Sequence, residues 1–259
     1  MELKNVKNSV VPDRMMHFLW ALVILSVLFC VLVLVNPNPT YRLLSNTFEC
    51  SIALVCMICC LYAYRTWSER IIVLLAAFAF GGYALSNTFW YLYSNKFGMS
   101  DAFFSVSELG FLGVMLFFIV AFRIEFPEKT LRTSVRIALG GLFLILALII
   151  LGTTGILPNT VLFMFRLFVI ALFVGAASDH RVYRYPLLWL GICLYGFASI
   201  LYGIRETIFF KLIEIAADTP HFVILQTVHD YLSIVGPLSF LSFLLIQLGI
   251  FAYLNSPDD

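Results

Sequence analysis

The sequence predicts an all-α integral membrane protein, one bundle of about eight transmembrane helices with no soluble domain. Hydrophobic residues make up 62% of the 259 residues and charged residues 12%, with a mean hydropathy of +0.98. Soluble domains are about half apolar and about a quarter charged. Because one spanning helix needs about 20 apolar residues, the chain has room for about eight spans and little else.

Apolar runs separated by turn residues divide the single membrane domain, 1–259, into eight predicted helices. These helices lie near 15–35, 46–64, 71–93, 103–122, 137–157, 160–178, 185–205 and 222–254. Prolines fall in or beside the connections, where helix breakers belong. They are Pro37, Pro39, Pro127, Pro158, Pro186 and Pro220.

The first and last helices need separate justification. The first follows basic residues as a secretory signal does, but its apolar run is too long and no small-residue cleavage site follows, so we expect a retained helix. The last, 222–254, would extend about 50 Å at about 1.5 Å per residue, well beyond a hydrocarbon core of about 30 Å. Pro237 cannot donate to the carbonyl of Ser233, which predicts a kink there. Thr219 and Pro220 form its start signal.

Basic residues predict the orientation of the bundle. With a cytoplasmic amino terminus, the inner segments contain Lys4, Lys7, Arg14, Arg65, Arg70, Arg123, Lys129, Arg132, Arg136, Arg181 and Arg184, and the outer loops contain Arg42, Lys96 and Lys211. This bias follows the positive-inside rule and places both termini in the cytoplasm of a cell-membrane protein.

Several function classes leave no trace in the sequence. The net charge is +1 and the basic residues form no single run, which gives no reason to expect nucleic acid. The six cysteines lie in apolar segments and imply packing, with no disulfide framework. Even the CxxC of Cys56 and Cys59 has no histidine or carboxylate beside it, so we expect no metal and no cofactor.

Polar residues inside the apolar segments form the candidate site. Threading the chain places them in one layer near the outer face: Glu49, Asn87, Glu108, Arg166, Arg205, Glu206, His229 and Asp230. A charge within hydrocarbon costs about 2.5–3.5 kcal/mol on insertion scales, so such groups usually face one another, water or a ligand. The inner half has no ionisable side chain clearly deep in the membrane. We therefore expect a blind polar pocket open to the outside.

Four of the charged residues, Glu49, Arg166, Arg205 and Glu206, also have a purely structural interpretation. Glu49 stands at capping-box spacing from Asn46, which suits a solvated helix start. Arg205 and Glu206 would mark the outer end of the seventh helix, with Arg205 snorkelling. Arg166, the deepest cation, needs an anion such as Glu108, Asp230 or a bound ligand, and a structural ion pair would satisfy it equally.

One combination of residues is similar to a known family. Cys50, Arg166 and His229 occur on the predicted outer side in the order found in the exosortase and archaeosortase membrane transpeptidases. The resemblance implies Cys50 as nucleophile, His229 as its base and Arg166 as an oxyanion or carboxylate partner. It covers three residues, Ile52 stands where a glycine is expected, and extra helices separate Cys50 from Arg166.

The sequence favours a membrane sensor or ligand-binding module. Its outer pocket would take a small extracytoplasmic ligand. Because only Asn255 to Asp259 follow the last helix, a signal would pass to a membrane or cytoplasmic protein partner through the inner loops, especially 123–136. A small-solute carrier or an accessory membrane subunit is the first alternative. The outward-facing enzyme that uses Cys50, Arg166 and His229 is the second.

Overall fold

The computed structural model describes residues 11–36, 39–97, 106–126, 157–214 and 220–256. The described part of the chain is almost entirely helical and contains no strand. Its α-helices are α1 (Asp13–Val35), α2 (Pro39–Thr66), α3 (Ile71–Phe97), α4 (Val106–Glu125), α5 (Leu157–Asp179), α6 (Pro186–Glu214), α7 (Pro220–Tyr231) and α8 (Val235–Asn255). The prediction of an all-α protein is confirmed. The predicted helix at 137–157 lies outside the described residues apart from Leu157.

Five segments are long and apolar enough to cross a membrane, counting only the described ranges. They are Asp13–Val35, Leu44–Thr66, Ile71–Phe89, Pro186–Arg205 and Pro220–Asn255. Their length and apolar composition identify a membrane-embedded helical protein. A helix suits this environment because all of its backbone hydrogen bonds close within the segment.

The helices extend beyond the predicted apolar runs at several ends. α2 begins at Pro39, α3 continues to Phe97 and α6, which corresponds to the predicted helix 185–205, continues to Glu214. Hydropathy detects only the apolar part of a helix, whereas the backbone hydrogen bonds continue through polar residues. Pro39, Pro186 and Pro220 each occupy the first helical position, where a missing N–H costs nothing.

The predicted last helix is divided near its proline. A short 3₁₀ segment, Leu232–Ile234, separates α7 from α8, and Pro237 lies in the first turn of α8. The interruption therefore includes Ser233. Its carbonyl receives no hydrogen bond from Pro237, because proline has no backbone N–H. The interruption also separates two environments, because α7 contains no buried residue whereas α8 is buried along most of its length.

The central helix α8 packs against α1, α2 and α6. Its approach to α6 depends on two glycines. A β-carbon on Gly249 would lie 2.3 Å from the backbone nitrogen of Leu188, and one on Gly191 would lie 2.7 Å from the backbone nitrogen of Ile246. Small residues permit this backbone proximity, which is a common feature of helix pairs in membranes.

The two ends of the bundle are held differently. At the end called here the Arg70 end, the guanidinium of Arg70 lies 3.5 Å from Glu125 and 4.7 Å from the ring centroid of Tyr253, and the Tyr253 hydroxyl donates to Glu125 at 2.7 Å. The other end, called here the pocket end, contains the first half of α2, the second half of α3 and the beginning of α8. These elements enclose a cavity.

Candidate functional site

The cavity at the pocket end has a volume of about 290 Å³ and lies between α2, α3, α4, α6 and α8. It is lined by Asn46, Thr47, Glu49, Cys50, Ser51, Leu54, Asn87, Thr88, Tyr91, Phe111, Tyr202, Arg205, Val235 and Gly236. Ligand pockets start at about 300 Å³, so this cavity suits a small molecule or a head group. Three of the predicted site residues, Glu49, Asn87 and Arg205, meet here.

Glu49 is the acidic group of the cavity and is 5% exposed. Its carboxylate accepts a hydrogen bond from the hydroxyl of Tyr83 on α3 and interacts with the side chain of Ser239 on α8. A β-carbon on Gly236 would lie 3.7 Å from the Glu49 carboxylate, so α8 also passes close by. With these contacts from α3 and α8, Glu49 is buried within the bundle, whereas the capping interpretation expects a solvated side chain.

Arg205 is the basic group of the cavity and is 7% exposed. Arg205 lies at the end of the apolar span Pro186–Arg205, as predicted, but α6 itself continues to Glu214. Its guanidinium acts on the Glu49 carboxylate electrostatically. Attraction between opposite charges is stronger in a poorly solvated site than in water, because the effective dielectric constant is lower.

Asn87 and its neighbour Thr88 form the polar rim contributed by α3. The side chain of Asn87 interacts with the Tyr83 hydroxyl, which extends the hydrogen-bonded group that begins at Glu49. Thr88 interacts with the thiol of Cys50 across the α2–α3 interface and donates to the carbonyl of Ala84 at 2.8 Å. The rim thus presents amide, hydroxyl and thiol groups beside a carboxylate.

Arg166 lies behind the wall of the cavity rather than in its lining. It is 3% exposed, and its guanidinium carbon lies 4.5 Å from the ring centroid of Tyr202 and 5.9 Å from that of Phe111. Both rings line the cavity, and they pack on each other with centroids 5.0 Å apart. Cation–π contacts of this kind are strongest when the cation is desolvated. Arg166 therefore fixes an aromatic wall that faces the candidate ligand.

His229 and Asp230 are not among the residues that line the cavity. Both belong to α7, where the Gln226 amide donates to Asp230 at 2.9 Å and the His229 ring nitrogen lies 3.7 Å from Asp230. Just beyond them, the Ser233 hydroxyl donates to the backbone carbonyl of Asp230 at 2.6 Å. α7 packs against α6, and the side chains of His229 and Asp230 are 11% and 31% exposed. Their expected contact with a ligand stays a prediction.

Glu108 and Glu206 have their backbones in α4 and α6, and their side chains lie outside the described part of the structure. The expected pairing of Arg166 with Glu108 therefore stays a prediction. Of the three residues that resemble the transpeptidase pattern, Cys50 lines the cavity, whereas Arg166 stands behind its wall and His229 lies on α7.

Several site residues were not predicted. Tyr83 precedes Asn87 by four positions, and residues at that spacing share a helix face, so this signal was present in the sequence. Phe111, Tyr202 and Ser239 carry no comparable signal, because aromatic and hydroxyl residues occur all around these helices. Within the described ranges, no group of three or more histidine, cysteine or acidic side chains is placed to hold a metal ion.

Comparison with known proteins adds no assignment to this geometry. The chain matches no family model, and no curated protein and no solved structure matches it.

Proposed function

We propose that the chain is a multi-pass sensor or ligand-binding module of the cell membrane, with its pocket open to the extracytoplasmic side. In this proposal eight helices span the bilayer, both termini are cytoplasmic, and a small ligand enters the cavity around Glu49 and Arg205. The signal passes to a protein partner at the inner loops.

One observation carries the proposal. A buried acid from α2 and a buried base from α6 line the same cavity, together with the amide of Asn87 from α3. Charges within a membrane bundle are costly and mark functional sites by default. A structural ion pair would need no cavity beside it, whereas here about 290 Å³ of space adjoins both charges. A small polar or zwitterionic molecule suits such a site.

The region below the pocket favours a ligand-binding module over a carrier. Beneath Tyr83 the core contains a group of buried aromatic rings, with Phe243 5.4 Å from Phe80 and Phe80 5.9 Å from Phe118 between centroids. The Tyr83 ring itself lies 4.7 Å from that of Phe243. A polar path that continues toward the Arg70 end would have to cross this apolar layer, and such a path is what a carrier of charged solutes requires.

Ligand binding is tested by thermal unfolding of the full chain in a nonionic detergent against glycine betaine, tetramethylammonium and acetate, which represent a zwitterion, a cation and an anion. We expect one of these three compounds to raise the unfolding temperature. Glu49→Gln and Arg205→Gln should abolish that rise. The matched controls Glu69→Gln and Arg123→Gln change exposed residues and should retain it. A stabilising compound that acts equally on all four variants would disprove this site.

The direction of the pocket is tested separately with Cys50. A membrane-impermeant thiol reagent added to intact cells should modify Cys50, and the Cys50→Ser variant identifies that fraction of the label by loss of one peptide adduct. Modification only in inverted vesicles would reverse the proposed orientation. Uptake of the stabilising compound into proteoliposomes would instead support the carrier alternative.

A further inference from the structure

We infer that the natural ligand is a single-chain amphiphile with a zwitterionic head group, which enters the pocket sideways from the bilayer. This inference rests on the proposed function, because it assigns a ligand class to the same cavity. It places the head group between Glu49 and Arg205 and the alkyl chain in an apolar groove between α2 and α3.

The groove is a second cavity, of about 440 Å³, on the membrane-facing side of α2 and α3. Leu54, Met57 and Leu61 form one side of it, and apolar residues between positions 77 and 88 form the other. At about 1.5 Å per residue, these stretches extend about 10 Å along α2 and about 16 Å along α3. The groove is therefore elongated and parallel to the helices, as an extended alkyl chain would require.

The two cavities adjoin each other. Leu54 and Thr88 line both the polar pocket and the apolar groove, one residue from each helix. Both side chains are exposed on the outer surface of the bundle, and Leu54 retains 43% of its accessible surface. A ligand occupying both spaces would pass between these residues, with its polar part beside Glu49 and its apolar part toward the lipid.

Polarity changes sharply across this junction. On the pocket side, α2 and α3 contribute Glu49, Cys50, Ser51 and Asn87, and on the groove side they contribute alkyl, aromatic and glycine positions. A fully water-soluble ligand would leave the groove unused, and a hydrocarbon would make no use of the charged and polar side chains of the pocket. An amphiphile matches both halves.

The head group follows from the charges and rings of the pocket. A cationic group suits the Glu49 carboxylate and the aromatic faces of Phe111 and Tyr202, and an anionic group suits the guanidinium of Arg205. A phosphocholine head group combines these features and serves as the probe. Since a lipid tail is as apolar as the groove, moving it from the bilayer gives little affinity, and the head group must supply the specificity.

Photolabelling tests the inference. The full chain is reconstituted in phosphatidylglycerol nanodiscs with a dodecylphosphocholine analogue that carries a diazirine on its alkyl chain, and labelled peptides are identified by mass spectrometry. We expect saturable labelling within 54–61 and 77–88. Unlabelled dodecylphosphocholine should compete at least about tenfold better than dodecyl maltoside, which has the same chain and an uncharged head.

Two glycine variants provide a matched comparison. A β-carbon on Gly82 or on Gly175 would have no atom within 4 Å, so a side chain can be introduced at either position without a clash at its first carbon. Only Gly82 lines the groove. Gly82→Leu should reduce labelling of the groove severalfold, and Gly175→Leu should leave it unchanged. Glu49→Gln should reduce it as well, because the head group loses its anchor.

The outcomes separate this inference from the proposed function. Labelling that does not saturate, or that ignores the head group, would mean that bulk lipid fills the groove and would overturn the inference. If free phosphocholine protects Cys50 from the thiol reagent while the groove stays unlabelled, the polar pocket binds ligand and the amphiphile assignment fails. If no probe protects Cys50 and no groove labelling occurs, both proposals fail.

Discussion

Tyr83 of α3 donates its hydroxyl hydrogen to the carboxylate of Glu49 on α2, and both side chains are buried. This bond joins two adjacent helices at the floor of the cavity. It also orients the Glu49 carboxylate. The Tyr83 hydroxyl interacts in turn with Asn87, one turn further along α3. The position of Glu49 in the pocket therefore depends on a phenol hydroxyl that the ligand need not touch.

Tyr83→Phe should lower the free energy of unfolding by about 1.5–3 kcal/mol, the usual range for a hydrogen bond to a charged group. The ring packing remains, so the loss reports the hydroxyl. Thermal and denaturant unfolding in a nonionic detergent measure it. Tyr62→Phe is the control, because Tyr62 is exposed and keeps its edge contact with Trp67. Equal losses in the two variants would contradict the role of the Tyr83 hydroxyl.

Arg166 and Tyr202 should be energetically coupled. A desolvated cation–π contact contributes about 2 kcal/mol, and the guanidinium carbon of Arg166 lies 4.5 Å from the Tyr202 ring centroid. A double-mutant cycle with Arg166→Met and Tyr202→Leu should give a coupling energy of about 1–2 kcal/mol in detergent unfolding. The pair Arg166→Met and Tyr62→Leu serves as the additive control. Additivity in both cycles would show that the ring contact contributes nothing.

Arg166→Met should also weaken binding of any ligand found in the pocket, although Arg166 does not line it. The substitution loosens Tyr202 and Phe111, which form the wall. We expect a severalfold increase in the dissociation constant for the stabilising compound, measured as a shift in its concentration dependence of thermal stabilisation. Arg166→Lys retains the charge and should restore part of the affinity. Identical affinity in all three proteins would leave Arg166 a purely structural residue.

Much of this architecture was accessible from the sequence because it depends on composition and helical repeat. Depth along each helix was enough to bring Glu49, Asn87 and Arg205 to one level. Depth does not give the rotation of a helix about its axis, so Arg166 was expected in the pocket and instead lies behind Tyr202. His229 and Asp230 do not line the cavity, because they belong to α7 and, of the two helices, only α8 contributes lining residues. Apolar residues on every side of 222–254 gave no sign of this difference between α7 and α8.

Alanine at Gly249, in the close contact of α6 and α8, should lower stability, whereas alanine at Gly175, outside that contact, should not. Gly249→Ala would place a β-carbon 2.4 Å from the α-carbon of Leu188, and backbone atoms there cannot yield as a flexible side chain would. Overpacking of this kind costs about 1–3 kcal/mol, so the unfolding temperature in detergent should fall clearly. Gly175→Ala, on α5, meets no atom within 4 Å and should be neutral or slightly stabilising, because alanine favours the helix. A stable Gly249→Ala variant would contradict the packing described for α8.

The Arg70 end should contribute stability without affecting the pocket. Arg70 is 31% exposed in its side chain, so solvent screens its ion pair with Glu125, and we expect a coupling energy of about 0.5–1 kcal/mol from Arg70→Gln and Glu125→Gln. Tyr253→Phe removes a donor to the same carboxylate and should cost a further 1 kcal/mol or so. Because this group lies at the opposite end of the bundle from Glu49, the affinity for a pocket ligand should remain within about twofold. A larger change in affinity would contradict this local role of Arg70, Glu125 and Tyr253.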